Sequence, residues 1–397
     1  MTIVAWDVGG VAVVVDVDTH WESIQFAPGQ HPLEEFSDRL PDPMDRLAFA
    51  LAGDLLAGLP EADRPSAAEL LPHLVARSAE DGGRASIHPA HDSDPDERVA
   101  WMDGLGIDHA LVNPGGYWQM IEFLGADRPR AAQRCNDYLA EQLAGHGDRL
   151  LPVSVIDFSD LDVAVAEMAR MRGKGSRAFF LYTVHGDPVN GMSPGHPAWD
   201  KVWSAATDLG MIPVIHVGNT SSRFTGWANI GWDQPGGSGI AGLLRLANTQ
   251  RVQVAETLLS ALLFGGVFAR HPTLTVLLEE MRVGWLPWFV GRCEQQTQPS
   301  VALGPWPFEL SGGGFLRRQV RVTPLPGFGD RDALEVMAQL PEMFVFSSDF
   351  PHAEGNAEPI ELYRPGLDEL DEELRASFMG ENMYECYARM GDPLTRA

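Results

Sequence analysis

Along the chain, short apolar runs rich in branched residues alternate with longer amphipathic stretches, with Gly, Pro and polar punctuation between them. The runs fall at 11–17 (VAVVVDV), 109–113 (HALVN), 151–156 (LPVSVI), 177–182 (RAFFLY), 211–217 (MIPVIHV), 273–279 (TLTVLLE), 320–325 (VRVTPL) and 343–347 (MFVFS). Between them lie helical patterns such as 160–175 (DLDVAVAEMARMRGKG) and 196–210 (HPAWDKVWSAATDLG), both closed by a glycine, a common helix stop. Continuous apolar runs alternating with helices indicate parallel strands buried on both faces. Eight runs predict an α/β chain folded as a distorted (β/α)8 TIM barrel, with the run at 320–325 the least marked.

Two stretches break this rhythm. Residues 21–97, rich in Pro, Asp and Glu, form a long excursion after the first strand, with a helical pattern at 43–59. We read the chain 1–397 as a single barrel domain in which 21–97 is an insertion capping the barrel mouth. A second irregular stretch, 218–239 (GNTSSRFTGWANIGWDQPGGSG), follows the fifth run. Long loops after strands sit at the C-terminal face, where barrel enzymes build their sites.

Composition narrows the function. Apolar content of 45% and charged content of 21% are those of an ordinary globular protein, and the net charge is −26. So acidic a chain repels phosphate backbones and anionic membranes, which argues against nucleic-acid and membrane partners and leaves a small-molecule substrate. No apolar segment is long enough to span a bilayer. Three scattered cysteines, Cys135, Cys293 and Cys386, form no CxxC or disulfide pattern and suit a reducing cytoplasm.

The informative polar residues stand where the apolar runs end. The first run gives way to VDVDTHWES, in which Asp16, Asp18, His20 and Glu22 share one parity. The fifth ends in His216, the sixth in Glu279 and Glu280, and the eighth leads to Asp349 in FVFSSDFPH. In a barrel these ends converge on one mouth, and imidazoles mixed with carboxylates suit a divalent ion such as zinc or manganese. Asp16 lies deeper in its strand and is expected to be a structural partner, and Glu22 to fix local backbone or a histidine.

At these residues the chain resembles the amidohydrolase-related (amidohydrolase 2) family, the branch that includes aminocarboxymuconate-semialdehyde decarboxylase and the aromatic-acid decarboxylases. The likeness rests on VDVDTHWES, RVAWMDGLGIDHALVNP (98–114), CNDYLAE (135–141), IPVIHVG (212–218), GGVFARHPTLTVLLEEMRVGWLP (265–287), FSSDFPHAEG (346–355) and GENMYECY (380–387). The resemblance implies that Asp18, His20, His216 and Asp349 bind one divalent metal, Zn2+ or Mn2+, and that the protein is a homodimer. Many relatives carry His-x-His where this chain has Asp18-x-His20, closer to decarboxylase members. Muconate-type relatives end strand 6 in a catalytic histidine where Glu280 stands here. Glu280 is then a general base, a carboxylic acid of raised pKa, or an ion-pair partner of Arg282.

Two reactions fit such a site. In one, metal-activated water attacks a carbonyl of a small, aromatic or carboxylated substrate, with Asp349 as metal ligand and base. In the other, an aromatic or unsaturated carboxylic acid loses carbon dioxide without oxidation. Hydrolysis is placed first, and a barrel that binds metal without catalysis last. His352 is expected to orient Asp349 or touch substrate, and His185, Arg223, Arg282 and Trp21 are candidate substrate contacts. Tyr117, Trp118 and Trp227 are candidates to line the pocket.

Overall fold

A computed structural model of the chain describes residues 13–21, 31–40, 94–181, 188–217, 239–301, 303–324, 333–352 and 358–395. Seven parallel strands lie in the order β1-β2-β3-β4-β5-β6-β7: Val15–Trp21, His109–Pro114, Leu150–Val155, Ala178–Phe180, Ile212–His216, Val276–Glu279 and Val320–Val322. Every residue of all seven is buried. Such strands have helices on one side and the barrel lumen on the other, which is why their sequences are continuously apolar rather than alternating.

The eighth run closes the ring without forming a regular strand. Phe344 bridges Val322 in parallel, Val345 N donates to Val322 O at 3.1 Å, and Val17 N donates to Phe346 O at 3.1 Å. Asp349 N then donates to Asp18 O at 2.8 Å and His20 N to Phe350 O at 2.7 Å. This segment therefore bonds β7 on one side and β1 on the other, and the architecture is the distorted (β/α)8 barrel that the run pattern predicts.

The helices predicted at 160–175 and 196–210 appear as Leu161–Arg172 and, after a short 3-10 turn, Asp200–Asp208. Asp160 caps the first by accepting from Asp162 N and Val163 N, which satisfies amides that have no partner within the helix. The helical pattern at 43–59, most of the 21–97 excursion and the loop 218–238 lie outside the described residues.

Side chains of the quoted motifs fasten helices to the barrel. Asn136, in CNDYLAE on helix Arg128–Gln142, accepts from Val155 N at 2.7 Å and donates to Val155 O at 2.8 Å at the end of β3. Asn382, in GENMYECY, donates to Pro341 O and Phe344 O, both at 2.8 Å, and so ties the C-terminal helix Asn382–Arg389 to the eighth segment. Two residues earlier, a Cβ on Gly380 would sit 2.1 Å from the Val13 carbonyl oxygen, just before β1. Backbone cannot yield there as a flexible side chain would. Gly380→Ala is therefore expected to destabilise the fold by about 1–3 kcal/mol, read as a lower midpoint in chemical denaturation.

Candidate metal centre

Four side chains at strand ends converge on one point. The ligand atoms of Asp18, His20, His216 and Glu280 all lie within 4.8 Å of one another, and a second, overlapping group joins His20 and Glu280 to Asp349 and His352. His20 Nε2 lies 3.2 Å from Asp18 Oδ1, 3.4 Å from His216 Nε2, 3.4 Å from Glu280 Oε1 and 3.4 Å from Asp349 Oδ1. His216 Nε2 lies 3.2 Å from Glu280 Oε1. Donors about 2.1 Å from one ion stand about 3.0 Å apart in an octahedron and about 3.4 Å apart in a tetrahedron, so these spacings are those of a ligand shell.

Local backbone sets each group. His216 ends β5, and its Nδ1 lies 2.6 Å from Val217 O. A proton on Nδ1 donated to that carbonyl leaves the Nε2 lone pair for the cluster. Asp349 and Glu280 both hold left-handed backbone, at φ 50° and 55°. Non-glycine residues rarely adopt this region, and its cost of about 1–3 kcal/mol is typically found at functional sites. At β6 the consequence is direct. Consecutive residues of a strand face opposite sides, yet Glu279 and Glu280 are both buried towards this network.

Burial makes the charge balance demanding. Asp18, His20, His216, Glu280 and Asp349 are all at most 9% exposed, and the ion pairs within the cluster join carboxylates only to imidazoles. Desolvation and His352 both push the His20 pKa down, but Asp18, Asp349 and Glu280 outweigh them and raise it well above the ordinary value. His216 is raised in the same way, desolvation being overcome chiefly by Glu280. Burial pushes Glu280 up, but His216, His20 and His352 hold it well below the carboxylate range. Burial and then repulsion from Glu280 push Asp349 up to about 7, against His352 and His20. Imidazoles whose pKa values are raised by surrounding buried carboxylates stand where a divalent cation would take the place of protons.

Unsatisfied oxygens support the same fit. Among the described residues, Asp18 Oδ2 and Asp349 Oδ2 are buried and accept no hydrogen bond. An acceptor left bare in the interior is costly, and a cation is the partner that satisfies several at once. The cluster could thus hold one divalent metal ion.

Among the predicted site residues, the structure brings together Asp18, His20, His216, Glu280, Asp349 and His352. His352 lies beside Asp349, Nδ1 to Oδ1 at 3.0 Å, with its ring 3.8 Å from that of His20, and its side chain is the most open of the group at 24% exposed. Glu280 pairs with imidazoles, while Arg282, two residues on, is exposed. Trp21 is fully buried with the Arg98 guanidinium 5.7 Å from its ring, a packing environment. Trp118 stacks on Phe180 at 4.5 Å, and Phe180 in turn meets His216 edge-on at 5.7 Å. His185, Arg223, Glu22, Trp227 and the Tyr117 side chain lie outside the described residues. Asp16 is the structural partner expected of it, accepting from Ser348 N at 2.8 Å and Ser348 Oγ at 2.6 Å.

Asn113, which the sequence pattern alone does not mark as a site residue, is central. Its Nδ2 donates to Asp18 Oδ1 at 2.8 Å and to Glu279 Oε2 at 3.0 Å. It links the first ligand to a second buried carboxyl, which burial and Asp18 keep well above its ordinary pKa. The available signal was an amide closing the apolar run HALVN, in register with His20 on β1.

A profile of the amidohydrolase family matches residues 15–389, the whole barrel and every residue of the cluster. The chain belongs to the amidohydrolase family. No protein of curated function matches it in sequence. Among solved structures it is similar to an amidohydrolase of Mycobacterium avium subsp. paratuberculosis K-10, with 20% identity, a TM-score of 0.62, and coverage of 94% of this chain and 99% of that one. It is also similar to a 5-carboxyvanillate decarboxylase of Sphingomonas paucimobilis, with 19% identity, a TM-score of 0.60, and 95% and 99% covered. A 5-carboxyvanillate decarboxylase of Novosphingobium aromaticivorans, solved with bound manganese, matches at 16% identity and a TM-score of 0.61, with 97% and 99% covered. At these identities the likeness is one of fold, and amidohydrolases of this fold are metal-dependent enzymes. No helix of the described residues is long and apolar enough to cross a membrane.

Proposed function

We propose that this amidohydrolase hydrolyses a small, neutral carbonyl compound such as an ester, lactone or amide. One observation carries the reading: three buried carboxylates, Asp18, Glu280 and Asp349, surround two imidazoles. One divalent ion balances Asp18 and Glu280, and Asp349 beside it, its carboxyl pushed up to about 7, adds no positive charge, so the centre carries no net positive charge. That disfavours an anionic arene-carboxylate and favours an uncharged substrate.

Asp18, His20, His216 and Glu280 would hold the metal, with Asp349 at its edge. A divalent ion there, zinc or manganese, supplies Lewis acidity towards water and a carbonyl. Asp349 Oδ2, buried and without a hydrogen bond, takes the proton of the attacking water. His352, bonded to Asp349 and the most open of the cluster, passes that proton to the leaving group.

Decarboxylation is the second reading. It is favoured by Asp18-x-His20 and by the decarboxylase names of structural neighbours. The two readings separate when the manganese-loaded protein is offered a panel of neutral esters, lactones and amides beside a panel of hydroxybenzoates. Turnover of a neutral carbonyl compound without carbon dioxide release is the expected result; carbon dioxide from any hydroxybenzoate would overturn hydrolysis. We also propose a cytoplasmic homodimer, in keeping with three buried free thiols, with 21–97 capping the barrel mouth. Light scattering on the eluted protein checks the dimer.

A further inference from the structure

The helix Pro95–Leu105 sends the Arg98 side chain to the backbone of β1 beside the cluster. Arg98 is fully buried, which is rare for arginine. Its Nη1 donates to Thr19 Oγ1 at 2.9 Å and its Nη2 to the His20 carbonyl at 2.9 Å. Thr19 Oγ1 in turn donates to Phe350 O at 2.8 Å, the oxygen that also accepts from His20 N at 2.7 Å. The guanidinium lies 4.8 Å from the Phe350 ring centre and 5.8 Å from that of Trp101, and Trp101 and Phe350 stack at 4.6 Å.

These contacts join β1 to the eighth segment at the point where each delivers a member of the cluster. Thr19 lies between Asp18 and His20, and Phe350 follows Asp349, whose left-handed backbone needs support from its surroundings. This junction is also where the barrel closes without a regular ladder, so main-chain pairing alone does not fix it. A planar guanidinium can hold two acceptors in a set geometry and stack on a ring together; an ammonium cannot.

We infer that Arg98 is a positioning residue of the metal centre, fixing His20 directly and Asp349 through Thr19 and Phe350. It touches none of the reacting atoms. The inference rests on the cluster holding a metal, and not on which bond the enzyme breaks.

The test compares Arg98→Met, Arg98→Lys and Thr19→Val with a control, Arg321→Met. Arg321 is 2% exposed, and its Nη1 donates to the carbonyls of Arg317, Arg318 and Val320, away from the cluster. Each full-length protein is titrated with Mn2+ and, separately, examined by the visible spectrum of its Co2+ form. Arg98→Met is expected to weaken Mn2+ binding about tenfold or more and to alter the Co2+ band pattern, with Arg98→Lys recovering part of the affinity. Thr19→Val should shift both readouts in the same direction by less, and Arg321→Met should lower thermal stability alone. Wild-type Mn2+ affinity and an unchanged Co2+ spectrum in Arg98→Met would overturn the inference, as would an equal loss in Arg321→Met. Should Arg98→Met fail to fold, Thr19→Val decides: unchanged affinity and spectrum there overturn it, and a shift in both supports it. A protein whose wild type binds neither ion fails the metal reading itself, a separate result.

Discussion

Glu280→Gln should leave the barrel folded and cost it most of its hold on metal. The substitution keeps the shape of the side chain and removes its charge. Glu280 Oε1 is the atom closest to His216 Nε2 within the cluster, at 3.2 Å, and lies 3.4 Å from His20 Nε2. Replacing even a supporting group around a metal costs about 10–100-fold in affinity, and loss of an anionic ligand is expected at or beyond the upper end, about 100-fold. Dialysed wild-type protein should retain close to an equivalent of manganese and the variant much less than half. Metal-induced thermal stabilisation should shrink in parallel, because stabilisation follows the ratio of ligand concentration to dissociation constant. Arg282→Met is the companion variant. If the work of Glu280 were to hold that guanidinium, both variants would behave alike; the exposed position of Arg282 leads us to expect unchanged affinity. Full metal occupancy in Glu280→Gln would remove Glu280 from the ligand set.

That Glu280 takes this place was only partly legible in the sequence. The end of an apolar run tells where a barrel strand delivers its side chains, and so the sequence alone gathers Asp18, His20, His216 and Asp349. What the run cannot tell is which way the chain turns one residue later. Regular alternation would send Glu279 and Glu280 to opposite faces. The φ of 55° at Glu280 turns it back to the histidines, and no residue preference announces that conformation for a glutamate. Asp349 owes its position to the same kind of backbone, at φ 50°. The last strand shows a related limit. Its apolar run is plain, yet the pairing reduces to one bridge and a few main-chain bonds, since the segment bends away to deliver Asp349. Arg98 was harder still. In a helix an arginine is ordinarily a solvated charge, and only the fold buries it against β1. Register is likewise tertiary: a shift between Asp16 and Thr19 separates Asp16, bonded to Ser348, from Asp18 and His20 at the cluster.

Asp349→Asn addresses the step after metal binding. Four other ligand atoms, from Asp18, His20, His216 and Glu280, already converge within 4.8 Å, so the variant is expected to keep more than half an equivalent of metal. An amide retains the bulk of the side chain but cannot accept the proton of the attacking water. Removing a positioned base costs about 10²–10⁴-fold in rate, and the loss should fall on kcat while KM stays within a few-fold, because the interaction matters as the proton moves. His352→Gln should cost less: it removes the group beside Asp349, 3.0 Å away, and leaves the base itself in place. Measuring metal content and kcat on the same samples separates the two duties assigned to Asp349. Activity lost with metal retained identifies a base. Activity and metal lost together identify a ligand, and the proton must then be taken by another member of the cluster, with Glu280, 3.6 Å from His352, the next carboxylate after Asp349.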